Sequence, residues 1–210
     1  ASYWLGKQGE CSKNRLIVPA KYQSWNKIYN LSYEICLGLS NSLSVGSYLA
    51  PGFVVNTWKL WEWLITTAVK IGSDELVISQ KPTLFGYKQN NTKINVYPDI
   101  SVYHTYDPES PYLLIDAKYK DFSRKVDILR SDMYEAFAFC KAAGCNKLIL
   151  VYPMDYNSTI PNGYIEKKAT YNIQDVTISA IEVNSSCLTS KSDIFSFSQN
   201  FFENITKTLD

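Results

Sequence analysis

Apolar positions along the chain switch between two rhythms, and the switches divide it into elements. In "YQSWNKIYNLSYEICLGLSNSL" (22–43) they fall at 25, 28, 29, 31, 35, 36 and 39, close to the helical period. The turn-prone "SVGSYLAPG" follows. "FVVNTWKLWEWLITTAVKIG" (53–72) then reads as a helix, with Asn56 as its N-cap and Gly72 as its end. Strand-like runs come next: "ELVISQKPTLFGY" (75–87), interrupted at Pro82, "INVYPDISVY" (94–103) and "YLLIDAKYK" (112–120). "HTYDPESP", with its Asp, Ser and prolines, joins the last two runs as a hairpin. "DILRSDMYEAFAFCKAAG" (127–144) is a helix closed by Gly144, and "NKLILVYP" (146–153) is a continuous apolar strand of the kind buried on both faces. Two more strands are expected in "GYIEKKATYNIQDVTISAIEV". A C-terminal helix, capped by Ser192 or Asp193, is expected in "SDIFSFSQNFFENITKTL". The predicted core, from about residue 53 to 153, runs α-β-β-β-α-β.

Charged residues interrupt this pattern where it predicts burial. Glu62 sits among Trp58, Trp61 and Ile65, and Asp99 follows Pro98 at the head of a strand. Asp116 and Lys118 share one face of the run 112–120, because strand side chains alternate with period two. An unpaired buried carboxylate is costly, and several close together repel one another. A divalent cation resolves both difficulties. Mg²⁺ accepts hard oxygen ligands from one or two carboxylates, with water and a phosphate completing its shell. Such an ion activates water and stabilises charge on a phosphate in transfer. The carbonyl of Ala117, between the two side chains, is a further candidate ligand. Lys118 would orient or deprotonate the attacking water, or stabilise the developing negative charge. Each part alone has a plain reading: a strand-end ion pair, a turn, or the wet edge of an amphipathic helix. Their joint order is what points to a site.

Composition narrows the setting. The 210 residues are 46% hydrophobic and 14% aromatic, enough for one buried core. No run has the length of a membrane span, and the opening "ASYWLGKQGECSKNR" lacks a secretory leader's basic-then-apolar pattern, so a cytoplasmic location is expected. A net charge of +1 neither advertises a polyanionic partner nor excludes a local basic patch. The five cysteines (Cys11, Cys36, Cys140, Cys145 and Cys187) are irregularly spaced, which suits reduced thiols. With His104 the single histidine, a Cys–His zinc site is not expected. Residues 1–21 are read as a linker or truncated segment, and 22–210 as one domain.

The element order and the stretches "GFVVNTWKLWEWL", "YPDISVY", "LLIDAKYK" and "SDMYEAFAF" resemble the PD-(D/E)xK nuclease superfamily. More narrowly, they resemble the nuclease domain of McrC, the cleavage subunit of the McrBC modification-dependent restriction system. The resemblance runs from about residue 22 to 153. It implies an α/β restriction-endonuclease-like fold: a central mixed sheet flanked by helices, with an extra N-terminal helix and C-terminal strands and helix. It implies Asp99 and Asp116 as metal ligands, Lys118 as the catalytic lysine and Glu62 as the acid of the first core helix. Mg²⁺, replaceable by Mn²⁺, would be the cofactor. Double-stranded DNA carrying methylated sites would be the substrate, and a McrB-like AAA+ GTPase the partner, with no membrane involved. The Gln-x-x-x-Tyr element often found in this group is here Glu135 to Phe139, so Glu135 and Tyr134 are accessory candidates, as is Lys120. Two other readings stand beside this one: a resolvase or repair nuclease of the same superfamily, and a non-catalytic nuclease-fold module that docks DNA or a partner.

Overall fold

The continuous apolar run at 147–153 forms an inner strand of the central sheet, as a strand with no polar face must. In the computed structural model the described residues are 43–45, 48–50, 56–120, 128–155, 159–186 and 188–209. The chain divides into two units, residues 1–56 and 57–210. In the first, β1 (Leu43–Val45) and β2 (Tyr48–Ala50) pair antiparallel, where the sequence suggested only a turn. Val45 and Tyr48, two strand-favouring residues on either side of Gly-Ser in the sequence, suit such a hairpin. The helix expected over 22–43 lies outside the described residues, apart from Leu43, which is in β1.

The second unit begins with α1 (Thr57–Gly72), followed by β3 (Leu76–Ser79), β4 (Thr83–Tyr87), β5 (Lys93–Val96), β6 (Ile100–His104) and β7 (Asp107–Ala117). Then come α2 (Arg130–Ala143), β8 (Lys147–Pro153), β9 (Ile165–Ile173), β10 (Val176–Val183) and α3 (Lys191–Leu209). One mixed sheet runs β3-β6-β7-β8-β10-β9. Its centre, β7-β8-β10, is parallel, and the remaining pairs are antiparallel. The predicted α-β-β-β-α-β core is present as α1-β3-β6-β7-α2-β8.

Alternation along the strands sorts the core into two layers. Leu113, Ile115, Ile149, Val151, Ile181 and Val183 pack with Trp61, Ile65 and Val69 of α1 and with Phe197 and Phe201 of α3. Leu114, Leu148, Leu150, Ile178 and Ala180 point the other way, toward Ala136, Phe139 and Cys140 of α2. Helices therefore cover both faces, which is why β8 has no polar face. Cys140 and Cys145 are free, buried thiols, and burial pushes Cys140 up to about 12.

Several expectations are corrected. The run 75–87 is interrupted at Pro82 as expected, but the run 94–103 is not a single strand: it too breaks at its proline, and β4 pairs with β5 in a separate two-stranded ribbon. Pro82 and Pro98 cannot donate to a ladder, so pairing stops there. The β6–β7 turn is shorter than "HTYDPESP", because Asp107–Ser110 already belong to β7. β7 ends at Ala117, so Lys118 and Lys120 lie past the strand, although the Lys118 N–H still reaches the Val151 carbonyl at 2.9 Å. Helix α3 is capped by Ser190, not Ser192 or Asp193. Ser190 Oγ accepts the Asp193 N–H at 3.2 Å, while Asp193 Oδ2 accepts the Ser190 N–H at 2.8 Å, a reciprocal capping box. Gly72 is the last residue of α1, and its missing side chain serves packing. A Cβ there would sit 2.2 Å from the Ser198 carbonyl oxygen of α3. Gly144 does close α2 in the left-handed conformation, at φ 66°, as expected.

Candidate active site

Asp99 owes its position to the break at Pro98. The chain re-enters the sheet one residue later, where Ile100 pairs with Ile115. Ile100 and Ile115 face α1 and α3, so their neighbours Asp99 and Asp116 come to the opposite face, one step along the same ladder. Asp99 Oδ2 accepts the Ala117 N–H at 2.9 Å. In an extended residue the N–H and C=O leave the same strand edge, so the Ala117 carbonyl faces the Asp99 side. Asp116 is buried, and its Oδ2 stands 2.6 Å from Lys118 Nζ. That contact is off the line of a hydrogen bond, so Oδ2 has a neighbouring charge but no aligned donor.

Two facing carboxylates in a dry corner resist ionising together. Burial, and then the Asp116 charge, push the Asp99 carboxyl up to about 8. Lys118 shows the complementary balance. Burial works to lower its pKa, but the Asp116 and then the Glu135 charges outweigh this and hold it above the usual lysine range. Its Nζ also meets Glu135 Oε2 at 2.7 Å. The lysine is therefore an ammonium gripped from two sides.

Glu62 does not touch Asp99 directly in the described hydrogen bonds; Gln80 joins them. The Gln80 Nε2 donates to Glu62 Oε1 and to Asp99 Oδ1, both at 2.8 Å. Its backbone N–H donates to the Asp99 carbonyl at 3.0 Å, and its φ is 51°, unusual for a residue other than glycine. A backbone conformation of this kind is held only where the surroundings fix it, and here a two-carboxylate clamp does so. Sequence reasoning missed Gln80. A glutamine just before Lys-Pro has no turn or metal signature.

The predicted residues thus separate. Asp99, Asp116 and Lys118 converge, Glu62 joins through Gln80, and Glu135 holds Lys118. Tyr134 is exposed at 65%, and no contact to the site is found for it among the described residues. Lys120 turns elsewhere: its Nζ meets Asp132 Oδ1 at 2.7 Å. Asp132, also missed, is a buried acid in the first turn of α2 whose Oδ2 accepts the Tyr152 hydroxyl at 3.2 Å. Its sequence signal was the capping preference of an acid at a helix start, which conceals burial.

The donor set fits a hard divalent ion. Among the described residues, no group of three or more His, Cys, Asp or Glu side chains is arranged to hold a metal. Mg²⁺ does not require one, since it usually takes one or two carboxylates and keeps several waters. Asp99, Asp116 with its unaligned Oδ2, and the Ala117 carbonyl supply oxygen donors of that kind, and among the described residues no thiol or imidazole is found in contact with them.

Comparison with known proteins bears on the family and the fold. The family described as McrBC 5-methylcytosine restriction system component matches residues 8–153. Among solved structures, a chain of the Thermococcus gammatolerans McrB AAA+ hexamer assembly with bound McrC is similar over 93% of this chain, with 14% identity and a TM-score of 0.59. The chain spans 41% of that chain's length. No curated protein sequence matches significantly.

Proposed function

The chain belongs to the McrBC family of 5-methylcytosine restriction system components, and on that premise we propose that it is the McrC-like nuclease module, hydrolysing DNA phosphodiesters with Mg²⁺. The observation that carries this reading is the convergence of Asp99 and Lys118 on Asp116, two carboxylates and an ammonium gathered at the end of adjacent strands. Asp99, Asp116 and the Ala117 carbonyl would hold the ion. When bound, it supplies charge neutralisation at the phosphate and acidifies water.

The remaining work falls to the chain. Gln80 keeps Glu62 and Asp99 pointing into one volume despite their repulsion. Glu135 holds the Lys118 ammonium in place. That ammonium faces the site, where it orients the attacking water and stabilises negative charge as the water oxygen bonds to phosphorus and the sugar oxygen leaves. Glu135 in place of glutamine changes the partner of the lysine from a neutral amide to a carboxylate, which favours the charged lysine.

The solved assembly contains McrB AAA+ hexamers with McrC bound. We extend this to a McrB-like GTPase that brings methylated duplex to the present chain. The test is cleavage of methylated and unmethylated plasmid with Mg²⁺, with and without such a partner and GTP. Wild type should cut, and Asp116→Asn should not. Cutting that survives Asp116→Asn, or that continues in EDTA, would overturn the assignment.

A further inference from the structure

Between Gln80 and Asp99 the chain leaves the central sheet and returns, and the excursion is the β4–β5 ribbon. It lies against α2. The ribbon is unusually apolar where it is exposed: Leu84, Phe85, Tyr87, Ile94 and Tyr97 are all exposed, Phe85 at 52% and Tyr87 at 58%. Large apolar side chains exposed together on one small element are a mark of an interaction surface.

Charge identifies the occupant. Residues 80–98 contain Lys81, Lys88 and Lys93 and no acidic residue, in a chain that has 20 acids for 21 bases. Lys81 is committed internally, donating to the Tyr103 hydroxyl at 2.9 Å. Lys88 and Lys93 are exposed near the turn end, where Tyr87 pairs with Lys93 and the Lys88 N–H donates to the Thr92 carbonyl. The root of the ribbon is the candidate active site itself, through Gln80 and Asp99. A polyanion in the site would therefore meet the root of the ribbon.

The dimensions agree. A major groove about 12 Å wide admits a two-stranded ribbon. The five residues of β4 extend roughly 17 Å at about 3.3 Å per residue, enough to reach from a backbone phosphate into the groove. We propose that the β4–β5 ribbon is the arm by which this chain grips duplex DNA, with Lys88 and Lys93 on phosphates and Phe85 and Tyr87 against the groove. This deepens the nuclease reading and rests on it for the identity of the polyanion.

The test is binding of the full chain to a labelled duplex in EDTA, where no cutting occurs, across a salt series. Removing both lysines (Lys88→Ala with Lys93→Ala) should lower the slope of log affinity against log salt by about 2, near 0.9 per phosphate contact. Phe85→Ser with Tyr87→Ser should weaken binding at every salt concentration without changing the slope. Unaltered melting and Mn²⁺ titration would show that fold and site are intact in these variants. Wild-type affinity and slope in the lysine variant would overturn the proposal. So would variants that keep duplex binding but no longer join a McrB-type AAA+ hexamer, which would give the ribbon to the protein partner. A chain that grips duplex through the ribbon yet never cuts loses the nuclease reading alone. One that binds and cuts equally well without the ribbon lysines loses the arm alone.

Discussion

Replacing Lys118 by methionine keeps the length of the side chain and removes its charge. Two contacts disappear: 2.6 Å to Asp116 Oδ2 and 2.7 Å to Glu135 Oε2. They are not equal. The Glu135 side chain is 49% exposed, so that arm is worth about 0–1 kcal/mol. The Asp116 side chain is 4% exposed, and stripping a buried carboxylate of its cation costs roughly 3–5 kcal/mol. The lower end applies, since Lys118 is itself 13% exposed and water can enter where it stood. A loss of about 3 kcal/mol lowers Tm by roughly 6–12 °C for a chain of this size. Melting followed by circular dichroism, in EDTA and in Mn²⁺, separates the possible causes. In EDTA the variant should melt in that range below wild type. Mn²⁺ should restore most of the difference, because the ion supplies the missing positive charge. The Mn²⁺-induced rise should therefore be larger in Lys118→Met than in wild type, while cleavage falls by roughly two orders of magnitude or more. Equal Tm in EDTA, or an Mn²⁺ rise no larger than that of wild type, would refute the reasoning.

The other predictions concern neighbours of this pair. The Asp99 carboxyl is raised from 3.8 to about 8, so its contribution to stability is fully present below the unfolded value and is lost as pH rises through about 8. Metal-free wild type should lose stability over that window and Asp99→Asn should lose less; parallel profiles would rule out Asp99 as the source. Gln80→Asn tolerates the left-handed backbone but shortens the amide, so Mn²⁺ affinity measured by calorimetry should fall about 10-fold or more; unchanged affinity would make the clamp irrelevant to metal. Asp132→Ala leaves the buried Tyr152 hydroxyl without that acceptor and should cost about 1–3 kcal/mol in urea unfolding. Wild-type stability of Asp132→Ala would show that the acid is not holding the start of α2.

Legibility in the sequence followed how local the causes were. α1, α2 and β8 were readable because their periodicity and end signals lie within the segment, down to Gly144. Asp99 and Asp116 were readable because a carboxylate at a buried strand end breaks the alternation. The β4–β5 ribbon was not, because Leu84, Phe85 and Ile94 have the composition of core strands while lying on the surface. Only the prolines hinted at the breaks, and a proline does not say where the freed strand goes. Gln80 and Asp132 were hidden for the converse reason. Their roles depend on partners 18 to 20 residues away, Glu62, Asp99 and Tyr152, and no local pattern encodes those meetings.

The closure between the Gln80 N–H and the Asp99 carbonyl has a consequence for how this domain can diversify. The excursion over residues 81–98 leaves and rejoins the sheet at this one root, and beyond it rests on α2 and on the Lys81–Tyr103 contact. The entropic cost of closing a flexible loop grows only with the logarithm of its length, about 0.6 kcal/mol for each doubling. Descendants, or an engineer, can therefore lengthen, shorten or replace the excursion at slight thermodynamic expense while the carboxylates beneath keep their places. The root acts as a socket: reach and grip can be exchanged without rebuilding the chemistry.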